Sequence, residues 1–388
     1  SSNMVGRSGM CQHNQSPGGI SMLTSRVRTC ALAALILTAT VAACGGSASA
    51  GVKAASGATT AATVDAASGA PTVKVSGNHL VDGSGKTMRL LGINRDGTEY
   101  ACGEGWGIFD GPNTAASVNA MLKWDINSVR LPLSEACWLG LPGIKPQYSG
   151  ATYRNAIKKY VTLLHQHGLV VILDLHIATP HSSTEINEQP VGDAAHSIDF
   201  WKSVATTFKN DHSVLFDLLN EPHDTSWSCW LNGCSSVGYD GVGYQQLVDA
   251  VRSTGATQPL MIGAMQYDSD FSEWDKYAPK DPDHQIVASF HTYGDYPCTA
   301  SCFKTVAHVA GELPMVTGEF GSKDCTAAYA DKYMKWADAH GISYLAWTWN
   351  EGPGWDCKAG PTLITNYNGT PTGYGVGVRD HLRALHAS

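Results

Sequence analysis

Short apolar, β-branched runs alternate with amphipathic segments along most of this chain. Eight of these runs have the length and composition of buried parallel strands, and they cover residues 89–94, 126–132, 169–176, 214–221, 260–264, 285–291, 314–320 and 343–349. Helical periodicity occupies most of the intervals, at residues 114–123, 152–167, 196–209, 244–253, 327–340 and 377–385. Repeated βα units predict an α/β fold and, with this number of strands, a closed (β/α)8 TIM barrel.

Polar and aromatic side chains recur where these runs end. The carboxyl ends of parallel barrel strands meet at one face, so residues at those ends share a pocket. One such residue alone is commonly a hydrogen-bonded core group, but recurrence around the whole barrel predicts a functional site. The residues are Asn94, Arg95, Arg130, His176, Asn220, Glu221, Gln266, His291, Tyr293, Glu319, Trp347 and Trp349.

Two strands of similar design each bring a glutamate to this face. The fourth run ends in Asn220-Glu221-Pro222, where proline stops the strand because it cannot donate to the ladder. The seventh run ends in Glu319-Phe320-Gly321. Two carboxylates in one pocket are what hydrolysis of a glycosidic bond requires. Asp174 and Asp217 lie inside their strands, so we expect them to anchor hydrogen bonds in the barrel core.

The composition fits a globular enzyme and excludes a nucleic-acid-binding protein. The chain has 388 residues, of which 43% are hydrophobic and 15% are charged, so it can bury a large core. Its 26 Lys and Arg residues are outnumbered by 34 Asp and Glu residues, and no basic run is present. Nucleic acid is therefore not an expected partner. The 11 tryptophans and 15 tyrosines are compatible with stacking on sugar rings.

Residues 1–43 are interpreted as upstream sequence and a signal peptide. Arg26 and Arg28 precede an apolar stretch that is too short to span a bilayer and has the layout of a secretory signal. Val41-Ala-Ala-Cys44 resembles a bacterial lipobox, which implies cleavage before Cys44 and acylation of its thiol. The alternative is an ordinary signal peptide cleaved among the later alanines. We expect an extracellular protein, tethered to the cell surface if Cys44 carries a lipid.

The remaining chain divides into a tether and one folded domain. Residues 44–70 are nearly all Gly, Ala, Ser, Thr and Val, a composition that cannot offset its ordering entropy and predicts a flexible tether. Residues 71–388 are long enough for one (β/α)8 domain. Its first segment, residues 71–88, has the turn residues of a small hairpin that closes the bottom of the barrel. A monomer is the default expectation.

The cysteines indicate disulfides rather than a metal site. Eight of the 11 cysteines fall in the folded domain, and an even number in an exported chain favours disulfides. Paired CxxC motifs and an HExxH motif are absent from the sequence, so we expect neither a metal site nor a cofactor. The expected pairs are Cys102 with Cys137, Cys229 with Cys234, Cys298 with Cys302, and Cys325 with Cys357.

Taken together, these motifs resemble glycoside hydrolase family 5, a family of retaining (β/α)8 enzymes that includes many cellulases. The resemblance extends from Leu90 to the final helix. In this family the strand-four Asn-Glu-Pro motif carries the acid/base, which the resemblance places at Glu221. The strand-seven glutamate is the nucleophile, which corresponds to Glu319. The resemblance implies that no cofactor is needed, because carboxylates and water perform the reaction.

Further residues match supporting positions of the family. Arg130 beside Glu319 would favour the ionised form of that carboxylate, and Tyr293 would donate a hydrogen bond to it. Glu221 must begin protonated, which drier surroundings and a nearby negative charge promote. The resemblance assigns substrate-binding or supporting roles to Arg130, His176, Asn220, His291, Tyr293 and Trp347, with Trp349 as the alternative for the last position.

The substrate is less well specified than the reaction. We expect an endo-β-1,4-glucanase acting on polysaccharide or oligosaccharide. The loop after strand one is long, and a Cys102–Cys137 bond would make it a rigid wall of the site. Such a wall favours an exo-glycosidase on terminal sugars, including furanosides, while a loop carrying Trp227 and Trp230 borders the leaving-group side. A β-mannanase and a non-catalytic surface carbohydrate-binding protein are further alternatives.

Overall fold

The computed structural model describes residues 69–295, 298–351 and 360–387, in which eight parallel strands close into a barrel. Each strand pairs with its neighbours in chain order, and the eighth pairs with the first. The predicted α/β class and (β/α)8 architecture are therefore confirmed. The strands are Leu91–Asn94, Ser128–Ser134, Val170–Ile177, Val214–Asp217, Leu260–Gly263, Ile286–Tyr293, Met315–Gly321 and Ser343–Ala346.

Amphipathic helices cover the outside of the barrel. In the helix Gly150–Gln166, residues spaced by three or four positions are buried against the strands, and they include Tyr153, Ile157 and Leu164. Gly168 follows this helix with φ +80°, a conformation that glycine adopts without strain, and the chain then enters strand three. The long helices are Ala115–Leu122, Gly150–Gln166, Ser197–Phe208, Tyr244–Arg252, Ala300–Glu312, Ala328–Ala339 and Gly373–Ala387.

One of these helices, Ala300–Glu312, was not predicted from the sequence. The expected disulfide between Cys298 and Cys302 forms, and it lies at the first turn of this helix. Thr299 caps that turn by accepting a hydrogen bond from the backbone amide of Cys302. Residues of modest helix propensity within the segment, such as valine and threonine, conceal its periodicity.

Several short elements lie in the loops. Shorter helical segments are Glu135–Leu139, Trp227–Asn232, Met265–Asp268 and Trp274–Tyr277, with a 3-10 turn at Pro146–Tyr148. Two small antiparallel sheets pair Gly192–Asp193 with Gly241–Val242 and Ile364–Asn366 with Thr370–Pro371.

A small sheet closes the amino-terminal end of the barrel. The predicted hairpin has three antiparallel strands, Lys74–Ser76, His79–Val81 and Thr87–Met88. Val73 and Leu80 from this segment are buried in one apolar cluster with side chains from the beginnings of the barrel strands. The bottom of the barrel is therefore sealed by apolar packing, and the opposite, carboxyl-terminal face is left to carry the candidate site.

Three disulfides lie within the described residues, in the loops and at the start of one helix. Cys102–Cys137 joins the loops after strands one and two, and Cys229–Cys234 and Cys298–Cys302 are local, so these three predictions are confirmed. The expected partner of Cys325, at position 357, lies outside the described ranges, as do the predicted signal and most of the predicted tether. Among residues 69–295, 298–351 and 360–387, no helix combines the length and apolarity needed to cross a membrane.

Candidate active site

A buried arginine lies at the centre of the polar face. Arg130 extends from strand two, and its side chain is completely buried. Its Nε lies 2.9 Å from Asp217 Oδ2, its Nη2 lies 3.0 Å from Asp174 Oδ2, and its Nη1 lies 2.7 Å from Glu319 Oε1. Burial raises the pKa of Asp174 and of Asp217, and the positive charge of Arg130 counteracts this effect. The two aspartates thus anchor the core as predicted.

The same guanidinium positions two asparagines. Arg130 Nη1 donates to Asn94 Oδ1 at 3.0 Å, and Nη2 donates to Asn220 Oδ1 at 2.8 Å. Asn94 in turn donates from Nδ2 to the carbonyl oxygen of Gly318 at 2.8 Å. Gly318 directly precedes Glu319, so this hydrogen bond joins strand one to the backbone that carries Glu319.

Glu319 lies near the end of strand seven and is almost fully buried. Its Oε1 accepts a hydrogen bond from Arg130 and its Oε2 accepts one from the Tyr293 hydroxyl group. Burial raises the pKa of Tyr293 well above its ordinary value, and the negative charge of Glu319 acts in the same direction, so Tyr293 remains a donor. Both carboxylate oxygens are therefore oriented by fixed donors.

Glu221 has a different environment. It follows strand four with φ +51°, in the left-handed region that is unusual for a residue with a Cβ. Its side chain is 17% exposed, and His291 Nδ1 lies 2.9 Å from its Oε1. Burial raises the pKa of Glu221 to about 7, an effect that Arg130 opposes and Asp174 reinforces. Burial lowers the pKa of His291 to about 3, so the imidazole beside Glu221 is neutral at pH 7.

His176 and Trp347 form the adjoining side of the site. His176 Nδ1 lies 2.6 Å from Asp174 Oδ2, and its Nε2 lies 3.4 Å from Asn220 Nδ2. Its ring is nearly parallel to that of Trp347, with centroids 5.5 Å apart. Trp349 instead packs edge-on against Trp124 in the core. The structure thus places Trp347, the preferred candidate, beside the pocket residues.

The two glutamates are close enough to act on one bond. One carboxylate oxygen of Glu221, one of Glu319 and a ring nitrogen of His291 all lie within 4.8 Å of one another. Carboxyl groups separated by about 5 to 5.5 Å are typical of retaining glycosidases, and about 6.5 to 9.5 Å is typical of inverting ones. Although such a group has the spacing of metal ligands, the Arg130 charge at Glu319 disfavours a cation there.

Two acidic residues of the site were not predicted. Asp268 is fully buried, and its Oδ2 lies 3.3 Å from His291 Nε2. Gln266, which the sequence placed at the pocket, is exposed, because Gln266, Tyr267 and Asp268 all have positive φ and the turn directs Asp268 inward instead. Glu188, from the loop after strand three, approaches His176 Nε2 to 3.9 Å. Burial and the charge of Glu221 raise the pKa of Glu188.

The loop that carries Trp227 and Trp230 keeps both indole rings in the core. Trp230 is fully buried against Tyr244 and Trp274, and Trp227 packs on Trp230 and Tyr277. Both rings therefore stabilise the packing under the loop. Tyr267, after strand five, is exposed and stacks on His223 with centroids 4.6 Å apart.

A family comparison agrees with this geometry. Residues 81–353, more than half of the chain, match the model of cellulase, glycosyl hydrolase family 5. The chain belongs to glycosyl hydrolase family 5. The resemblance inferred from the strand-end motifs is therefore confirmed, and the matched range includes Arg130, Glu221 and Glu319.

Individual relatives of this family 5 member are distant. The chain is 25% identical over 300 residues to a mannan endo-1,4-β-mannosidase of Streptomyces lividans, a match that covers 73% of this chain and 67% of that one. It is 23% identical over 297 residues to endoglucanase E-5 of Thermobifida fusca, covering 72% of this chain and 56% of that one. The chain thus spans about two thirds or less of the length of these relatives.

Solved structures share the fold. A β-glucanase from Saccharophagus degradans in complex with cellotetraose superposes with a TM-score of 0.63 at 19% identity, covering 81% of this chain and 94% of that one. The catalytic domain of the Thermobifida fusca endoglucanase superposes with a TM-score of 0.57 at 18% identity, covering 80% of this chain and 97% of that one.

Replacing the central arginine should destabilise the protein in a pH-dependent way. Arg130→Met leaves Asp174 and Asp217 buried without their counter-charge, so we expect a loss of about 3 to 5 kcal/mol in the free energy of unfolding at pH 8. Carboxyl groups whose pKa is raised in the fold cost stability only above the unfolded-state pKa, so the loss should shrink as the pH falls toward 5. Urea unfolding at both pH values measures this.

Arg252→Met provides a matched control. Arg252 also pairs with an aspartate, Asp281, but this pair lies outside the site. Burial acts to raise the pKa of Asp281, yet hydrogen bonds from Arg252 and from backbone amides hold that pKa below its usual value. Arg252→Met should therefore lose less free energy of unfolding than Arg130→Met. This loss should not shrink in the same way as the pH falls from 8 to 5. If Arg130→Met lost the same free energy of unfolding at pH 5 and at pH 8, the destabilisation could not come from unpaired, ionised carboxylates.

Proposed function

We propose that the protein is a retaining glycoside hydrolase that cleaves β-1,4-linked glucan internally. The observation that carries the proposal is the approach of Glu221 and Glu319 oxygens to within 4.8 Å, together with the contrasting environments of the two groups. This separation suits direct attack by one carboxylate and leaves too little room for the intervening water of an inverting reaction. Membership of glycosyl hydrolase family 5 supports the same reaction class.

In the first step, Glu319 attacks the anomeric carbon of the sugar. The bond between that carbon and the glycosidic oxygen breaks, and Glu221 gives its proton to the departing oxygen. A covalent ester now joins the sugar to Glu319, and Glu221 is ionised. Tyr293 and Arg130, which bind the two oxygens of Glu319, hold the attacking carboxylate in a single orientation.

In the second step, water takes the place of the departed group. Glu221 removes a proton from that water, the water oxygen bonds to the anomeric carbon, and the ester bond to Glu319 breaks. The two inversions restore the original anomeric configuration, and both glutamates return to their starting protonation states. Asn220, fixed by Arg130 through its Oδ1, offers its Nδ2 to a sugar hydroxyl group.

Exposed aromatic rings on opposite sides of the barrel support endo-cleavage. Trp106, in the loop after strand one, is 47% exposed, and Tyr267, after strand five, is 46% exposed. Strands one and five are four positions apart in a ring of eight and therefore lie across the barrel from each other. A polysaccharide that stacks on both rings would cross the face that carries the two glutamates.

A β-mannanase is the second candidate, because two of the relatives are mannan endo-1,4-β-mannosidases, from Streptomyces lividans and Cellvibrio japonicus. Endoglucanases are also among the relatives. All of these relatives are endo-acting mannosidases or endoglucanases. This supports internal cleavage of a polysaccharide over release of terminal sugars by an exo-glycosidase. The Cys102–Cys137 bond remains the one feature that favours a walled site.

Removing each glutamate should have a different effect. Glu319→Ala removes the nucleophile, so we expect no turnover of any substrate. Glu221→Ala should slow polysaccharide cleavage by about 10²- to 10⁴-fold, yet spare the first step on a dinitrophenyl glycoside, whose leaving group needs no proton. Steady-state and burst kinetics measure the difference, and calorimetry should show that both variants still bind oligosaccharide. Normal hydrolysis by Glu319→Ala would refute the nucleophile assignment.

The pH profile should report the acid/base. Glu221 must be protonated to donate to the leaving group, and its pKa is about 7, so kcat/KM should fall as the pH rises through about 7. The alkaline limb should vanish in Glu221→Ala assayed on the dinitrophenyl glycoside. Persistence of that limb in the variant would assign it to another group.

A product profile tests the substrate. The oxidised protein is incubated with soluble β-1,4-glucan, β-mannan and aryl glycosides of pyranose and furanose sugars, with Glu319→Ala as the blank. We expect rapid viscosity loss and mixed oligosaccharides from glucan. Faster cleavage of mannan would favour the second candidate, and monosaccharide release from aryl furanosides with intact polymers would establish an exo-glycosidase instead.

A further inference from the structure

A second group of ionisable side chains lies outside the catalytic cleft. Glu135 begins the short helix after strand two, whereas Asp193 and His196 lie between strand three and the helix Ser197–Phe208. One carboxylate oxygen of each acid and a ring nitrogen of His196 all lie within 4.8 Å of one another. The mechanism proposed above uses none of the three.

Glu135 is held in place by hydroxyl and amide donors. Its side chain is completely buried, its Oε1 accepts from the Thr179 backbone amide at 2.6 Å, and its Oε2 accepts from Ser197 Oγ at 2.7 Å. Burial raises the pKa of Glu135 well above its ordinary value, and the neighbouring carboxyl group of Asp193 adds to the effect. Such supporting hydrogen bonds commonly orient a metal-ligating carboxylate.

The other two side chains carry buried polar atoms that lack an amide, hydroxyl or basic donor. Asp193 Oδ1 accepts from the backbone amide of His196, but its Oδ2 is buried and receives no such donor within the described ranges, where the Glu135 carboxyl group is the neighbour of the Asp193 carboxyl group. His196 Nδ1 is also buried and has no hydrogen bond there, although it lies 3.1 Å from Asp193 Oδ1 and 3.9 Å from Glu135 Oε1. The two carboxyl groups and the imidazole therefore converge within 4.8 Å of one another.

No basic side chain balances the charge. Among the described residues, neither Glu135 nor Asp193 forms an ion pair with a lysine or an arginine, and His196 is their one basic neighbour. Buried carboxylates are retained where a counter-charge, a metal ion or a shared proton compensates them. This pair therefore requires either a cation or a proton between its two members.

We propose that Glu135, Asp193 and His196 bind a divalent cation of the Zn²⁺ class. Two carboxylate oxygens and one imidazole nitrogen form a ligand set that Zn²⁺ accepts, whereas a site with an imidazole ligand suits Ca²⁺ and Mg²⁺ less well. The nitrogen-to-oxygen separations of 3.1 and 3.9 Å fit bonds of about 2.0 to 2.2 Å to one central ion. His196 is 27% exposed, which gives the ion a path from solvent.

The sequence concealed this site because its ligands are not contiguous. Asp193 and His196 are three residues apart, but Glu135 comes from a different loop that only the barrel brings near them. Glu135 is also two residues from Cys137, whose disulfide joins the loop after strand one. The bound cation would therefore brace three loops beside the cleft and act on stability, independently of the proposed reaction at Glu221 and Glu319.

Metal uptake by the oxidised full chain tests the proposal. Protein stripped with EDTA is dialysed against Zn²⁺, Ca²⁺ or Mn²⁺, and the bound metal is measured by elemental mass spectrometry alongside the Tm. We expect one tightly bound equivalent of Zn²⁺ and a rise in Tm of roughly 5 °C. Asp193→Asn should lose both responses, and it should still fold because the new amide donates to the Glu135 carboxylate.

Two control variants exclude binding elsewhere. Glu319→Gln disables the acidic group in the cleft, and His308→Gln disables an exposed group that Asp275 and Glu312 complete. Both variants should keep the Zn²⁺ equivalent. The site is refuted if the stripped wild type takes up no metal, which would leave a shared proton between the acids, or if Asp193→Asn binds as wild type does. Uptake of Ca²⁺ in place of Zn²⁺ would overturn the metal class.

Discussion

The catalytic face depends on one buried positive charge. Arg130 binds Asp174, Asp217, Asn94, Asn220 and Glu319. These partners lie in, or directly after, strands one, three, four and seven. A guanidinium suits this position because its fixed fork of donors can bind several acceptors at defined angles, which a lysine ammonium cannot. Arg130 therefore fixes the positions of five polar side chains at or just below the mouth of the barrel.

The proposed chemistry also requires two identical side chains to behave differently. Glu319 accepts hydrogen bonds at both oxygens, one from the arginine and one from Tyr293. Glu221 instead meets a neutral imidazole at 2.9 Å, and burial raises the pKa of this carboxyl group to about 7. Under the proposed mechanism, the different environments would make an acid and a nucleophile from the same residue type.

The parts of this arrangement that follow from local rules could be predicted from the sequence. Buried strands have recognisable apolar runs, so the barrel and the positions of Glu221 and Glu319 were accessible. Asp268 was not, because three successive left-handed residues redirect the turn that carries it. The burial of Trp227 and Trp230 was also not evident, because periodicity does not show which aromatic rings of a loop the core will bury. Contacts between loops that are distant in sequence, such as that of Glu135 with Asp193, could not be predicted, because only the closed barrel brings these loops together.

The described part of the chain begins at the sealed end of the barrel. Gly69, the first described residue, lies against Gly168, at the loop that leads into strand three from the amino-terminal face. The chain therefore enters the domain on the side opposite the two glutamates. A carrier protein fused directly before Gly69 would therefore be joined at the sealed end of the barrel and not beside the two glutamates.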